Sequence, residues 1–189
     1  MSTELAKELY RSAREEMLVR MKIRDNILIV YLGAVSGLFA LAVNSKTPEM
    51  LFCVPYLGLG ASLLVCQHYS VMGHLAKFCV VELGKFFKKN QIEAPQWDAS
   101  GTFHELTSWS IVVRAISHLL LLCIPAIVAL AFNSKHALNS PFPYGPLWWL
   151  SLLCLFGTAA VLLGTHYHRQ KLYNGPEWPW IDKEKTPGT

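Results

Sequence analysis

Charge is scarce in this chain. Of 189 residues, 16% are Asp, Glu, Lys or Arg, and 52% are hydrophobic; soluble domains carry about 25% charged residues. Carboxylates are missing from the long apolar runs, since Asp25, Glu49, Glu82, Asp98 and Glu105 sit at their edges or outside them. A proton-coupled carrier needs an acid at mid-membrane depth, so transport of that type is disfavoured. Inverted repeats are not evident either. Catalytic signatures are missing too: there is no Gly-x-Ser-x-Gly, P-loop, Gly-x-Gly-x-x-Gly or His-Glu-x-x-His. The chain is therefore not expected to be an enzyme, and no catalytic residue or cofactor is expected. Its five cysteines (53, 66, 79, 123, 154) form no close pair and read as small buried thiols, not as a disulfide frame or a zinc site. His166 and His168 diverge on a helix, and His68 and His74 are six apart, so no metal site is expected. No cleavable signal sequence is expected, because the first apolar run begins only at Ile27, after a charged helix.

What is present is four apolar runs, Ile27–Val43, Met50–Cys66, Trp109–Phe132 and Leu147–Gly164. At 17–24 residues each, they approach or exceed the length that spans a bilayer core about 30 Å thick. The fold class expected is all-α: an integral membrane protein with four transmembrane helices. The units expected are an amphipathic helix over 1–26, the first two spans over 27–66, and a helical segment and loop over 67–108. The last two spans over 109–165 and a tail over 166–189 complete the set.

Residues 3–25 lack Pro and Gly and alternate in sign at helical spacing, with Leu5, Leu9, Ala13, Met17 and Met21 repeating every four residues. Ser2 or Thr3 is placed to cap this helix. It suits either a solvated helix packing one stripe on its neighbours or a surface that meets membrane or partner. In the first span Gly33, Ser36 and Gly37 form a small-residue face of the kind that lets helices approach closely in lipid. The second span runs on from Gln67 to Lys89 with Gly73 as the one weak point, and with an apolar rhythm of Val71, Leu75, Phe78, Val81 or Glu82, and Phe86. Such a helix is longer than the bilayer is thick, so its second half projects beyond it.

Arg114 and His118 lie one turn apart in the third span, and ionisable groups at that depth are candidates for lining or gating a pore. Arg114 is also near enough to the span's end to snorkel to the headgroups. Pro125 is expected to kink the third span, and Asn133–Pro146 reads as a turn-rich loop.

The positions of the cations set an orientation. Six Lys or Arg precede the first span, four lie in the middle segment and four in the tail, while the other two loops hold Lys46 and Lys135 alone. Fourteen against two places both termini and the middle segment in the cytoplasm. Surfaces expected to face a partner there carry Arg11, Arg14, Lys77, Lys85, Lys88, Lys89 and Trp97.

The run AREEMLVRMKIRDNILIVYLGAVSGLFAL, the later HYSVMGHLAKFCVVELGKFF and a Gln-Trp-Asp at 96–98 resemble small bacterial multi-span membrane effectors of anti-phage defence. The likeness covers roughly residues 13–100 and is most similar in pattern to the transmembrane effector subunit of a retron system. That resemblance implies a protein of the bacterial inner membrane that acts in abortive infection by permeabilising or depolarising the membrane. It implies a cytoplasmic partner, a reverse transcriptase with its RNA–DNA hybrid, and it leaves room for a homo-oligomer. A small channel or carrier, or a membrane anchor that recruits a soluble partner, are the alternative readings.

Overall fold

With no Gly or Pro before Gly33, nothing in the first thirty residues interrupts a helix, and none is interrupted. In the computed structural model, which describes residues 2–92, 101–139 and 144–173, helix α1 runs unbroken over Thr3–Ser45. The Ser2 side chain caps it by accepting from the Leu5 N–H at 3.3 Å, and Glu4 complements the dipole in the first turn. The amphipathic helix and first span are thus one rod of 43 residues, about 65 Å long at 1.5 Å per residue. It ends at Lys46 in the left-handed conformation, φ 54°, whose N–H returns to the Ala42 carbonyl.

A 3-10 turn over Pro48–Phe52 leads into α2, Cys53–Lys77. Gly73 lies inside α2 and does not end it. One π-helical turn, Phe78–Leu83, and the short α3, Gly84–Lys89, continue the same rod. The wide turn buries Cys79, Val80 and Val81 in succession, a broader apolar face than an α-helix presents. Helix α4 covers Gly101–Asn139 and passes through Pro125; α5 covers Tyr144–Tyr173. Residues 133–139, expected as loop, are helical: Asn133 is fully buried and donates to the carbonyls of Ala129 and Pro48, which fastens this last part of α4 to the neighbouring turn.

Among the described residues, four segments are long and apolar enough to cross a membrane, lying in α1, α2–α3, α4 and α5. Their outward faces carry Val43, Trp149, Leu153 and Phe156 at 64–73% exposure. Apolar surface of that kind suits a membrane protein, because water would penalise it. Helix α2 is the centre, against which α1, α4 and α5 all pack. Alternating direction brings the ends of the helices into two layers. One holds Pro48, Phe52, Asn133, Tyr144 and Ser151; the other holds Arg24, Tyr69, His118 and His166.

The core is continuous from one layer past the other. Tyr31, Val35, Val54, Ala61, Leu122, Ala126 and Leu162 fill the membrane-length part. Ala13, Met17, Val65, Tyr69, Met72 and Cys79 follow, and Ala6, Leu83 and Phe87 close the far end. The every-four stripe expected on α1 is corrected here: Ala13 and Met17 are buried, whereas Leu5, Leu9 and Met21 are exposed and Ala6 takes their place. A four-residue repeat drifts about 40° per step on a 3.6-residue helix, so it cannot stay on one face. The rhythm expected beyond residue 69 is also displaced. Val81 is buried, but Val71, Leu75, Phe78 and Phe86 are half-buried flanks, and the seam runs through Met72, Cys79, Leu83 and Phe87.

Candidate functional site

Tyr69 sits three residues past the second apolar run, on the α2 face that meets every other long helix, and is almost completely buried. Arg24, three residues before the first run, arrives from α1. Its Nη1 donates to the Tyr69 hydroxyl at 3.2 Å, and its guanidinium carbon lies 5.1 Å from the ring centroid. Arg169 arrives from α5 and places its guanidinium carbon at 5.1 Å from the same centroid. Arg114 of α4 lies one turn before His118, whose ring meets the same tyrosine. Two arginines from two helices thus meet one aromatic ring at cation–π distance, an attraction that offsets their mutual repulsion.

Histidines complete the shell. His118 meets the Tyr69 ring edge-on, centroids 5.5 Å apart, and His166 lies at 6.1 Å, tilted by 52°. His118 Nδ1 is 2.6 Å from the Arg114 carbonyl oxygen one turn back. The Nδ1 atoms of His68 and His166 are buried with no hydrogen-bond partner among the described residues. Asp25 brings a carboxylate to the cluster: its Oδ1 accepts from Arg24 Nε at 2.8 Å and Nη2 at 2.6 Å. Arg24 is 14% exposed and Asp25 57%, so the compensating charge stands on the water side. Among the described residues, no three His, Cys, Asp or Glu side chains gather where they could hold a metal ion.

Arg114 and His118 therefore do lie together, and they do so against Tyr69 at the junction of four helices. Gly33, Ser36 and Gly37 lie on the outward side of α1, and a Cβ built on either glycine meets nothing within 4 Å. Within one copy of the chain, the close approach is made instead at Gly58 of α2, near Tyr31 and the Leu122 carbonyl. Arg11 is exposed and ion-paired with Glu15 at 3.1 Å; Arg14 and Lys77 are half-buried; Lys85, Lys88 and Lys89 are exposed. Trp97 lies outside the described residues.

Sequence reasoning missed Arg24, Tyr69 and Arg169 as members of one site. A signal was present: with four runs alternating in direction, the arginines just outside runs one and four and just inside run three fall in the same layer. No family model matches the chain, and no curated protein or solved structure matches it either.

Proposed function

We propose that the protein is a non-catalytic multi-span effector of the bacterial inner membrane, held silent by a cytoplasmic partner and able to permeabilise or depolarise the membrane when released. The observation that supports this best is the helical hairpin formed by the first half of α1 and the α2–α3 extension. It is bonded through Ala6, Ala13 and Met17 to Met72, Leu83 and Phe87, and both arms pass without a break into membrane-length helices. A force on the hairpin therefore reaches the Tyr69 junction directly, and loss of that junction would free polar groups such as Arg114 and His118 to face a water path. The cytoplasmic placement of both termini rests on the distribution of Lys and Arg.

The partner proposed is the one implied by the family likeness, a reverse transcriptase with its RNA–DNA hybrid. The exposed Lys85, Lys88 and Lys89 suit it, since phosphate attraction is independent of sequence. The chain is induced alone in bacteria while a potential-sensitive dye is followed, with and without the candidate partner. Depolarisation and growth arrest only without the partner is the expected result. Unchanged potential in both cases overturns the effector reading. It leaves an anchor, for which removal of residues 2–25 abolishes partner recruitment while Arg114→Gln and His118→Gln have no effect.

A further inference from the structure

We infer that the outer face of α1 is a seam for a second copy of this chain, which packs parallel to the first along it from Leu5 to Gly37. The residues that α1 buries keep heptad pace: Ala6 and Ala13 stand seven apart, Met17 and Tyr31 fourteen, Val35 and Ala42 seven. A second face of the same rod keeps that pace too. Leu5, Leu9, Val19, Ile23, Val30 and Gly37 occupy the two seam positions of one heptad register, and all are exposed. Within the membrane this face borders a groove. Two hollows of about 510 and 670 Å³ adjoin between α1 and α2, share Ala34, Tyr56 and Leu57, and together run from Ile23 to Leu41. That stretch of α1 is about 27 Å long at 1.5 Å per residue, close to the hydrocarbon thickness of about 30 Å. A Cβ on Gly33, Gly37 or Gly60 meets nothing within 4 Å, so another helix can approach closely.

The occupant is selected by what continues beyond the membrane. Leu5 and Leu9 precede Ile27 by 22 and 18 residues, about 33 and 27 Å of helix at 1.5 Å per residue. Acyl chains do not reach them, whereas an equal heptad face on a second copy covers the aqueous and the lipid part together. Copies in one membrane are parallel whichever side holds the termini, so the inference does not rest on the effector reading. Asn26 lines the groove at its mouth and makes no hydrogen bond among the described residues. In a parallel pair it meets its counterpart, and one such amide in a seam fixes the register. The flanking charges are complementary as well. Glu15 lies on one side of the seam and Arg20 on the other, five positions on, the offset at which a parallel pair sets one against the other across the seam. Glu16 comes opposite its own counterpart, but it is already ion-paired with Arg20 at 2.6 Å.

The test uses the full chain in membranes, with Cys53→Ser removing the exposed native thiol. Single cysteines are introduced by Leu9→Cys, Ile23→Cys and Val30→Cys on the seam, and by Leu18→Cys and Leu32→Cys, which are exposed on another side of α1. Mild oxidation should join the first three into disulfide-linked dimers and leave the last two monomeric. Energy transfer between donor- and acceptor-labelled copies in phosphatidylcholine vesicles then reads the association itself. Asn26→Ala should weaken it about tenfold, the size of one interhelical hydrogen bond in lipid, and Gly37→Leu should weaken it further. Helix content should be unchanged in Gly37→Leu, because the position of its Cβ is open. If that variant does not fold, the cross-linking period along α1 still decides. Cross-linking that is equal at all five positions, or absent from the seam, overturns the proposal. So does energy transfer no greater than random encounter gives, which assigns the groove to lipid. None of these readouts measures permeability, so their failure is separate from failure of the effector reading.

Discussion

Tyr31 on α1 donates its hydroxyl to the backbone carbonyl of Leu122 on α4, at 3.2 Å, in the buried middle of the bundle. Pro125 has no N–H for the Leu121 carbonyl four residues before it, so the neighbouring Leu122 carbonyl, which Tyr31 reaches, lies beside the weakened point of the α4 ladder. Gly58 of α2 sits against both partners: a Cβ there would be 3.4 Å from the Leu122 oxygen and 3.6 Å from the Tyr31 hydroxyl.

Tyr31→Phe should therefore lower stability by about 1 kcal/mol, the net value of such a bond in a membrane protein. Gly58→Ala should be tolerated, because its single methyl makes ordinary contacts. Gly58→Val should be the most damaging of the three, because its added methyls displace the oxygen pair. Unfolding in mixed detergent, followed by helix content, ranks them. Equal stability of Gly58→Val and Gly58→Ala would contradict the close approach.

Asn133 donates from Nδ2 to the Pro48 carbonyl at 2.8 Å and to the Ala129 carbonyl at 3.0 Å, fully buried. Asn133→Ala removes both bonds and should cost about 1–3 kcal/mol. Asn133→Asp should cost more, since it turns an oxygen toward two carbonyls. The same unfolding assay separates them, and an Asp variant as stable as the Ala variant would refute the arrangement.

Tyr69 combines a hydroxyl bond with ring contacts to two guanidinium groups. Tyr69→Phe keeps the ring and should lose about 1 kcal/mol. Tyr69→Leu loses the cation–π contacts as well, worth about 0.5–2 kcal/mol each. Cross-linking between cysteines placed in α1 and α5 should fall only in the leucine variant. An equal fall in both would mean that the ring does not hold the junction.

Ala13 is buried where α1 meets α2. Ala13→Arg should pry the hairpin open without disturbing the spans. Hydrogen exchange should speed up in residues 3–20 and 78–89 and stay slow near Val54 and Leu162, and under the effector proposal the variant should depolarise cells even with the partner present. Unchanged exchange in the hairpin would show that the two arms are not coupled by this contact.

The proposed orientation is open to a direct check. On intact cells a membrane-impermeant maleimide should label a cysteine at Lys46 and should reach one at Lys88 only after permeabilisation. The reverse pattern would invert the topology read from the cations.

Much of the fold was legible because apolar length is a one-dimensional signal: runs of seventeen or more residues fix four membrane-length helices wherever they fall. Continuity was legible for α2, where Gly73 was judged too weak a break, and less so for α1, where Asp25-Asn26 looked like a boundary but has the backbone bonds of an ordinary helix. Faces were harder. Leu5 and Leu9 continue the four-residue spacing of Ala13 and Met17, and only the partner helix reveals which positions meet it. The Tyr69 cluster was least visible, since its members are up to 145 positions apart (169 minus 24). They are joined by the alternation of helix direction, which no local window contains. His118 was legible as unusual, but Tyr69 was not, for an aromatic beside an apolar run is commonplace.

The π turn at Phe78–Leu83 adds one residue to a helix whose two flanks otherwise keep step. A single deletion within it would relax the turn to α-helix and leave Leu83 and Phe87 still seated near Ala6 and Tyr10. The same deletion between Val54 and Met72 would swing everything beyond it by about 100°. Chain length in this rod is thus negotiable at one place only, and natural variants that differ by one residue should have their gap there.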